Sequence, residues 1–207
     1  MVRFDLPLSP DGVRHELRDG SAIVLRPIRP SDADELRSGF ARLSERSRFL
    51  RFFSPMQELP DALAERLATI DHLTHRAWVA YDPRADAPPP GLGVGVARLI
   101  EVADDPSSAE AAVAVTDDYQ NRGIGRALIA VLAGTAVAAG YETLLMHVLA
   151  ENRAMLELAR SLGPVRSTRR DGAAIEIHVG LEESTDEAIA EGALYDLLRL
   201  AARHQAE

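Results

Sequence analysis

The chain has 207 residues, 46% of them hydrophobic and 27% charged, and 23 basic against 32 acidic side chains leave a formal net charge of -9. It contains no cysteine, and all 23 of those basic residues are arginine. That excludes a disulfide framework, a thiolate zinc site, a cysteine acyl-enzyme, a lysine Schiff base and a Walker-type phosphate lysine. The acidic balance works against nonspecific nucleic-acid binding. No stretch approaches the ~18 apolar residues of a membrane span, and Met1 to Pro10 lacks a secretory leader's basic start and apolar run, so a cytoplasmic location is expected.

At roughly 100–200 residues per domain, one sizeable core is expected. Residues 14–29 read as an extended hairpin around Asp19-Gly20, and Ser31 with Asp34 resembles a capping box opening a helix over about 32–43. Residues 44–58 set Phe49, Leu50, Phe52 and Phe53 among Arg46, Arg48 and Arg51: either a helix packing aromatics inward beneath outward arginines, or a lid on the substrate side. A helix over 61–70 and a strand over 77–81 follow, then the proline-rich turn 85–91. Strands over 92–102 and 109–115 flank the acidic turn Asp104-Asp105-Pro106. Residues 123–139 are apolar on nearly every face and predict a buried helix. A strand over 143–148, a helix over 152–162 and strands over 165–169 and 174–180 complete the domain. This partial alternation predicts an α/β fold with a mixed sheet.

Chemistry concentrates in 109–126, where a strand runs through an acidic turn into a glycine-bearing loop that opens the buried helix. Gly123 and Gly125 let successive N–H groups converge, the helix N-terminus adds unsatisfied donors, and Arg122 and Arg126 add local positive charge, which predicts a phosphate site. The loop is too short for G-x-G-x-x-G and lacks the P-loop lysine, so neither NAD nor a nucleoside triphosphate is favoured.

Gln120-x-x-Gly123-x-Gly125 after such a strand resembles the acetyl-CoA pyrophosphate loop of the GNAT superfamily of N-acetyltransferases. Asn152, Ala154, Leu158, Leu162 and Gly163 resemble the family's next strand-helix unit, and RPIRPSDADEL with RLSERSRFLRFFSP resemble the opening of bacterial protein lysine acetyltransferase domains, over roughly 22–170. The resemblance implies a mixed, mostly antiparallel central sheet flanked by helices, within a domain over 1–182. Outside the resemblance, Ala190, Leu194, Leu197, Leu198 and Ala201 form one apolar stripe that predicts an amphipathic C-terminal helix over 183–207, packed on the domain or on a partner, with a homodimer as one outcome. It implies acetyl-CoA as co-substrate, held by Gln120, Asn121, Arg122, Gly123, Ile124, Gly125, Arg126 and Asn152. The backbones of Val113, Ala114 and Val115 would flank the acetyl and pantetheine groups.

The implied acceptor is a primary amine, and the resemblance favours a protein lysine. A small-molecule amine, or a noncatalytic acyl-CoA sensor, is the alternative. An alkylamine with a pKa of about 10.4 is almost wholly protonated at neutral pH and needs a base. Glu110 is the candidate because it begins the strand that leads to the loop and because the resembling lysine acetyltransferases place a catalytic glutamate ten residues before the motif glutamine, with partial burial expected to tune it. Where many relatives place a general-acid tyrosine this chain has Ala159, leaving water, Tyr119 or Tyr141. Asp117-Asp118 read as the turn itself. Asp71, His72 and His75 fit a polar helix end, and no metal is expected.

Overall fold

The computed structural model describes residues 12–87 and 91–181. The helix expected over 183–207 and the domain boundary at 182 lie outside the described residues, as do positions 88–90 of the proline-rich turn.

Eight strands form one sheet: β1 (Val13–Glu16), β2 (Ala22–Pro27), β3 (His75–Asp82), β4 (Leu92–Val102), β5 (Asp105–Val115), β6 (Thr143–Leu149), β7 (Val165–Asp171) and β8 (Ala174–Gly180). Their order is 1-2-3-4-5-6-8-7, and every pair is antiparallel except β5 with β6. Three short helices, α1 (Ala33–Ala41), α2 (Glu45–Phe52) and α3 (Asp61–Ala68), separate β2 from β3. The long α4 (Ile124–Ala139) makes the one parallel crossover, and α5 (Arg153–Arg160) joins β6 to β7. This is the mixed, helix-flanked sheet that the sequence predicts.

Strand alternation sorts side chains onto two faces. Ala97 and Leu99 of β4 and Ala109 and Ala111 of β5 point to the face that α4 covers, where Leu128, Leu132 and Ala136 complete the main core. Nine of the sixteen α4 residues are buried, so the apolar run over 123–139 is a core helix. The opposite face carries Val96, Arg98, Glu110, Ala112 and Ala114, and α1 to α3 pack beyond it around Phe40, Leu43, Leu59 and Ala64.

Two local expectations are corrected. Ser31 does not cap the first helix; it sits inside a 3-10 turn over Pro30–Asp32 whose cap is Arg29, with the Asp32 carboxylate accepting from the Arg29 N–H at 2.7 Å. Asp32 is drawn there by Arg26, which donates both guanidinium nitrogens to it at 2.7 and 2.8 Å, while the Tyr81 hydroxyl donates at 3.0 Å. The second correction concerns β5, which begins at Asp105. The Asp105 carboxylate accepts from the Ser107 N–H and from both the Ser107 and Ser108 hydroxyls, which shortens the turn and extends the strand toward its start. Glu110 therefore stands mid-strand, not at its beginning.

Burial disfavours the charged form of Asp32, but the Arg26 guanidinium, the Arg29 N–H and the Tyr81 hydroxyl outweigh it and hold the carboxyl below its ordinary range. The pair is expected to contribute fully above about pH 3.9, the unfolded aspartate value, and to be lost as acid titrates Asp32 through its lowered folded value. Asp32→Ala, which strands the Arg26 charge, is expected to cost about 3–5 kcal/mol in urea unfolding, and the Arg26→Met/Asp32→Leu double variant clearly less. A double variant as unstable as the single would contradict this reading of the pair.

Candidate active site

The single parallel pairing is short. Ser108, Ala109 and Glu110 pair with Thr143, Leu144 and Leu145, and beyond them β5 and β6 diverge. Each strand stays paired on its other side, β5 to β4 up to Val115 and β6 to β8 up to Leu149, so the gap opens within an otherwise continuous sheet. The cleft, about 220 Å³ in volume, is lined by Ala111 to Val115 from β5, by His147 and Val148 from β6, and by Asn152, Met155 and Leu158. One backbone edge of β5 thus faces a cavity where a partner strand would otherwise lie. Such an edge offers N–H and C=O groups to an extended amide-bearing ligand.

The loop from β5 to α4 closes one end of this cleft. A 3-10 turn over Asp117–Tyr119 follows β5, then Asn121 at φ 60° and Gly123 at φ 93° take left-handed conformations before α4 starts. Gly123 is required by that backbone, since most side chains are strained there. Gly125 is different: it lies in α4, outside the left-handed region, and an added Cβ would meet only Leu158 and Val115 at 3.9 Å. Packing does not demand glycine at 125, yet a Cβ there would protrude beside the cleft that Gly125 lines. This is a cradle for a close-approaching group at the α4 N-terminus, where unsatisfied N–H donors and the helix dipole favour an anion.

Of the residues proposed to hold the cofactor, Val113, Ala114, Val115, Gln120, Asn121, Gly125 and Asn152 converge on the cleft. Asn152 also caps α5, its Oδ1 accepting from the Met155 N–H at 3.2 Å. Gly123 and Ile124 shape the turn, Ile124 as a core residue only 1% exposed. Arg126 is exposed on the first turn of α4. Arg122 is otherwise engaged: it donates to Asp19 and to the Ser21 hydroxyl, each at 3.1 Å, and its guanidinium lies 4.9 Å over the Tyr119 ring. The Ser21 hydroxyl and N–H, joined by Arg122, bring the Asp19 carboxyl down to about 2. Arg122 therefore ties the loop to the β1–β2 hairpin.

Glu110 projects from β5 on the α1–α3 face, two residues before Ala112 at the mouth of the splay. It is exposed, so the partial burial expected of it is not found. Two features escaped the sequence. Asp117 is more than a turn residue: it accepts from the Ser44 N–H, the Ser44 hydroxyl and the Ser47 hydroxyl at 2.8, 2.7 and 2.9 Å, fastening the N-terminus of α2 to the β5–α4 loop. Burial works against its ionisation, but these three donors keep it below the usual carboxylate range. The inward-aromatic expectation for α2 holds only in part: Phe52 packs on Phe40 and Arg46 stays outside, but Phe49 and the following Phe53 are exposed while Arg51 lines the cleft.

The remaining candidates divide clearly. Ala159 is wholly buried. The Tyr119 hydroxyl donates to Asp82 at 3.1 Å and that of Tyr141 to Glu101 at 3.0 Å, and only Tyr119 lines the cleft. Asp71 caps its own loop by accepting from Leu73, Thr74 and His75. Gly125→Ala is expected to stabilise the chain by about 0.4–1 kcal/mol, whereas Gly123→Ala is expected to cost about 1–2 kcal/mol. Urea unfolding of the two variants checks this, and equal effects would contradict the distinction.

Residues 22–165 match the family model described as Acetyltransferase (GNAT) domain. The chain is 31% identical over 162 residues to Acetyltransferase PA5475 of Pseudomonas aeruginosa, covering 78% of this chain and 85% of that protein. It is also 31% identical over 150 residues to Acetyltransferase Pat of Mycolicibacterium smegmatis, covering 72% of this chain but 43% of that relative, so it spans less than half that protein's length. Among solved structures, the GNAT domain of S. lividans PAT superposes with a TM-score of 0.73 at 24% identity, over 83% of this chain and 97% of that one. The diverging parallel strands, the glycine cradle and these matches agree: the chain belongs to the GNAT family of acetyltransferases.

Proposed function

We propose that the chain transfers an acetyl group from acetyl-CoA to a primary amine, with a protein lysine as the acceptor. The observation that carries this is the unpaired edge of β5 running from the mouth beside Glu110 to the glycine cradle at the α4 N-terminus. The cleft suits the cofactor's shape: an amide-bearing arm along β5 and a diphosphate at the loop's N–H groups. Acetyl-CoA supplies an activated acyl carbon carried as a thioester.

The chain's own residues do the rest. The backbone of Val113 to Val115 aligns the donor, and a β5 N–H is positioned to polarise the reacting carbonyl. Glu110 takes the proton from the incoming ammonium, directly or through water, on the face from which the acceptor arrives. A thiol leaving group with a pKa near about 8.5 asks little of an acid. Water entering the open cleft suffices, and the buried Ala159 is no handicap.

Support for a protein acceptor comes from the rim. Ile100, 44% exposed, lies directly across from Glu110 in the β4–β5 register, and Leu73 is 68% exposed in the loop whose Thr74 carbonyl accepts from the Glu101 N–H. Exposed apolar side chains beside the base suit a protein face better than a small polar amine. The second reading, a small amine, is favoured by Arg51, whose positive charge at the cleft would attract an acceptor that also carries an acid.

Glu110→Gln is expected to lower thiol release from acetyl-CoA by about 100–10,000-fold, with unfolding free energy unchanged within about 0.5 kcal/mol because the side chain is exposed. A variant as fast as the parent would remove Glu110 as the base. Release that requires host proteins supports lysine transfer, and release with small amines alone supports the second reading. Gly125→Ala is expected to weaken acetyl-CoA binding by about tenfold or more in calorimetry, since the added methyl invades the cradle. Unchanged affinity would place the diphosphate elsewhere.

A further inference from the structure

A second cavity, about 100 Å³, lies behind Arg51 between α1, α2, α3 and the sheet. It shares Leu43, Arg51 and Ala114 with the donor cleft, so it opens off the position proposed for the reacting carbonyl. Its walls are largely apolar, with Phe40, Leu59, Leu67 and Val79 among them, yet Arg51 and Arg98 both line it. Arg98 is only 5% exposed. Its Nη1 donates to the Leu67 carbonyl at 2.8 Å and sits 3.2 Å from His75 Nε2, while its Nη2 is buried with no hydrogen-bond partner among the described residues.

Two guanidinium groups in one apolar cavity are an unusual arrangement. Burial, and then the neighbouring Arg51 charge, bring Arg98 down to about 10, and burial lowers Arg51 as well. The carboxylates facing the cavity do not neutralise them. Asp32 is engaged by Arg26, the Arg29 N–H and Tyr81, and Glu35 by Arg42 at 2.9 Å and the Gly93 N–H at 3.0 Å. Glu110 offsets Arg51 from outside the cavity. A buried donor left unmade in a native fold calls for a ligand, and a guanidinium pair matches the two oxygens of a carboxylate.

We infer that Arg51 and Arg98 form a carboxylate-binding subsite beside the reacting carbonyl, and that one substrate of this enzyme carries a carboxylate a few bonds from the reacting atoms. The inference rests on the acyl-transfer reading above. The cavity holds about three water volumes, room for a two- or three-carbon chain ending in a carboxylate but not for a nucleotide. That carboxylate belongs either to an amino-acid-like acceptor or to an acyl group derived from a dicarboxylic acid. The step is the same for both sources. A bond forms between the amine nitrogen and the acyl carbon, the carbon–sulfur bond breaks, the amine's proton leaves to Glu110, and the electron pair departs with the CoA thiolate.

The test begins with binding, which needs no turnover. In calorimetry, succinate is expected to bind the full chain at least about tenfold more tightly than the uncharged succinamide, as for a hydrogen bond to a charged group. Arg98→Met and Arg51→Met are each expected to abolish that difference. Arg51 lies on a half-exposed helix, so its variant keeps the test valid should replacement of the buried Arg98 disturb folding, which thermal melting reports. Two rate comparisons then identify the source: an α-amino acid against its amide with acetyl-CoA, and succinyl-CoA against acetyl-CoA with a lysine peptide. A preference for the acid that both variants erase supports the subsite and names its occupant. Equal binding of succinate and succinamide, or a difference that persists in both variants, overturns it. Carboxylate-selective binding without any thiol release would leave the subsite standing and refute the acyl-transfer reading instead.

Discussion

The divergence of β5 from β6 is the constraint on which the rest of the molecule depends. A parallel pair normally continues until one strand ends, but here pairing stops at Glu110 and Leu145 although both strands run on. The unused ladder edge of β5 would cost free energy if it were buried dry, so the gap is a site by construction. It survives because each strand is held on its far side, by β4 and by β8, and because α4 packs under β3, β4 and β5 while α5 packs by β6 and β8. The splay is therefore offset by the core around Leu128, Leu132 and Ala136 on the α4 face of the sheet.

From that gap the two sides of the enzyme follow. On the proposed acyl-transfer reading, the α4 N-terminus with Gly123 and Gly125 makes the anion end of the donor side, and the acceptor side is the opposite sheet face, where Glu110, Ala112 and Ala114 alternate along β5. Asp117 joins the two: it belongs to the β5–α4 loop and yet holds the first turn of α2, the helix that carries Arg51 into both cavities. The loop and the first turn of α2 are thus held together through one carboxylate.

Legibility of the fold and site in the sequence followed the range of the interactions. Gly123, Asn152 and the apolar run of α4 could be read because their signals are local: a left-handed backbone, a helix cap and a periodicity. The strand through Val113 to Val115 is legible from its alternation, but the start of β5 is not, because it depends on the Asp105 carboxylate gathering Ser107 and Ser108. What escaped was long-range. The sequence places Arg122 beside the glycines, but its partner Asp19 lies 103 residues earlier and has no local signal. Asp117 reaches Ser44 and Ser47 over 73 and 70 positions. The inward turn of Arg51 had no local signature, since α2 carries arginine or aromatic residues on every face and only tertiary packing chooses among them.

The central claim is that the splay between β5 and β6 is where an acyl-CoA donor lies, with its reacting carbonyl between Glu110 and Arg51. A crystal structure of the chain with bound acetyl-CoA tests it most directly. The account expects the pantetheine arm hydrogen-bonded along Ala111 to Val115, the diphosphate against the N–H groups around Gly123 and Gly125, and the acetyl group at the mouth beside Ala112. Acetyl-CoA bound on another surface, or lying in the cleft with its acetyl group turned away from the Glu110 face, would contradict it.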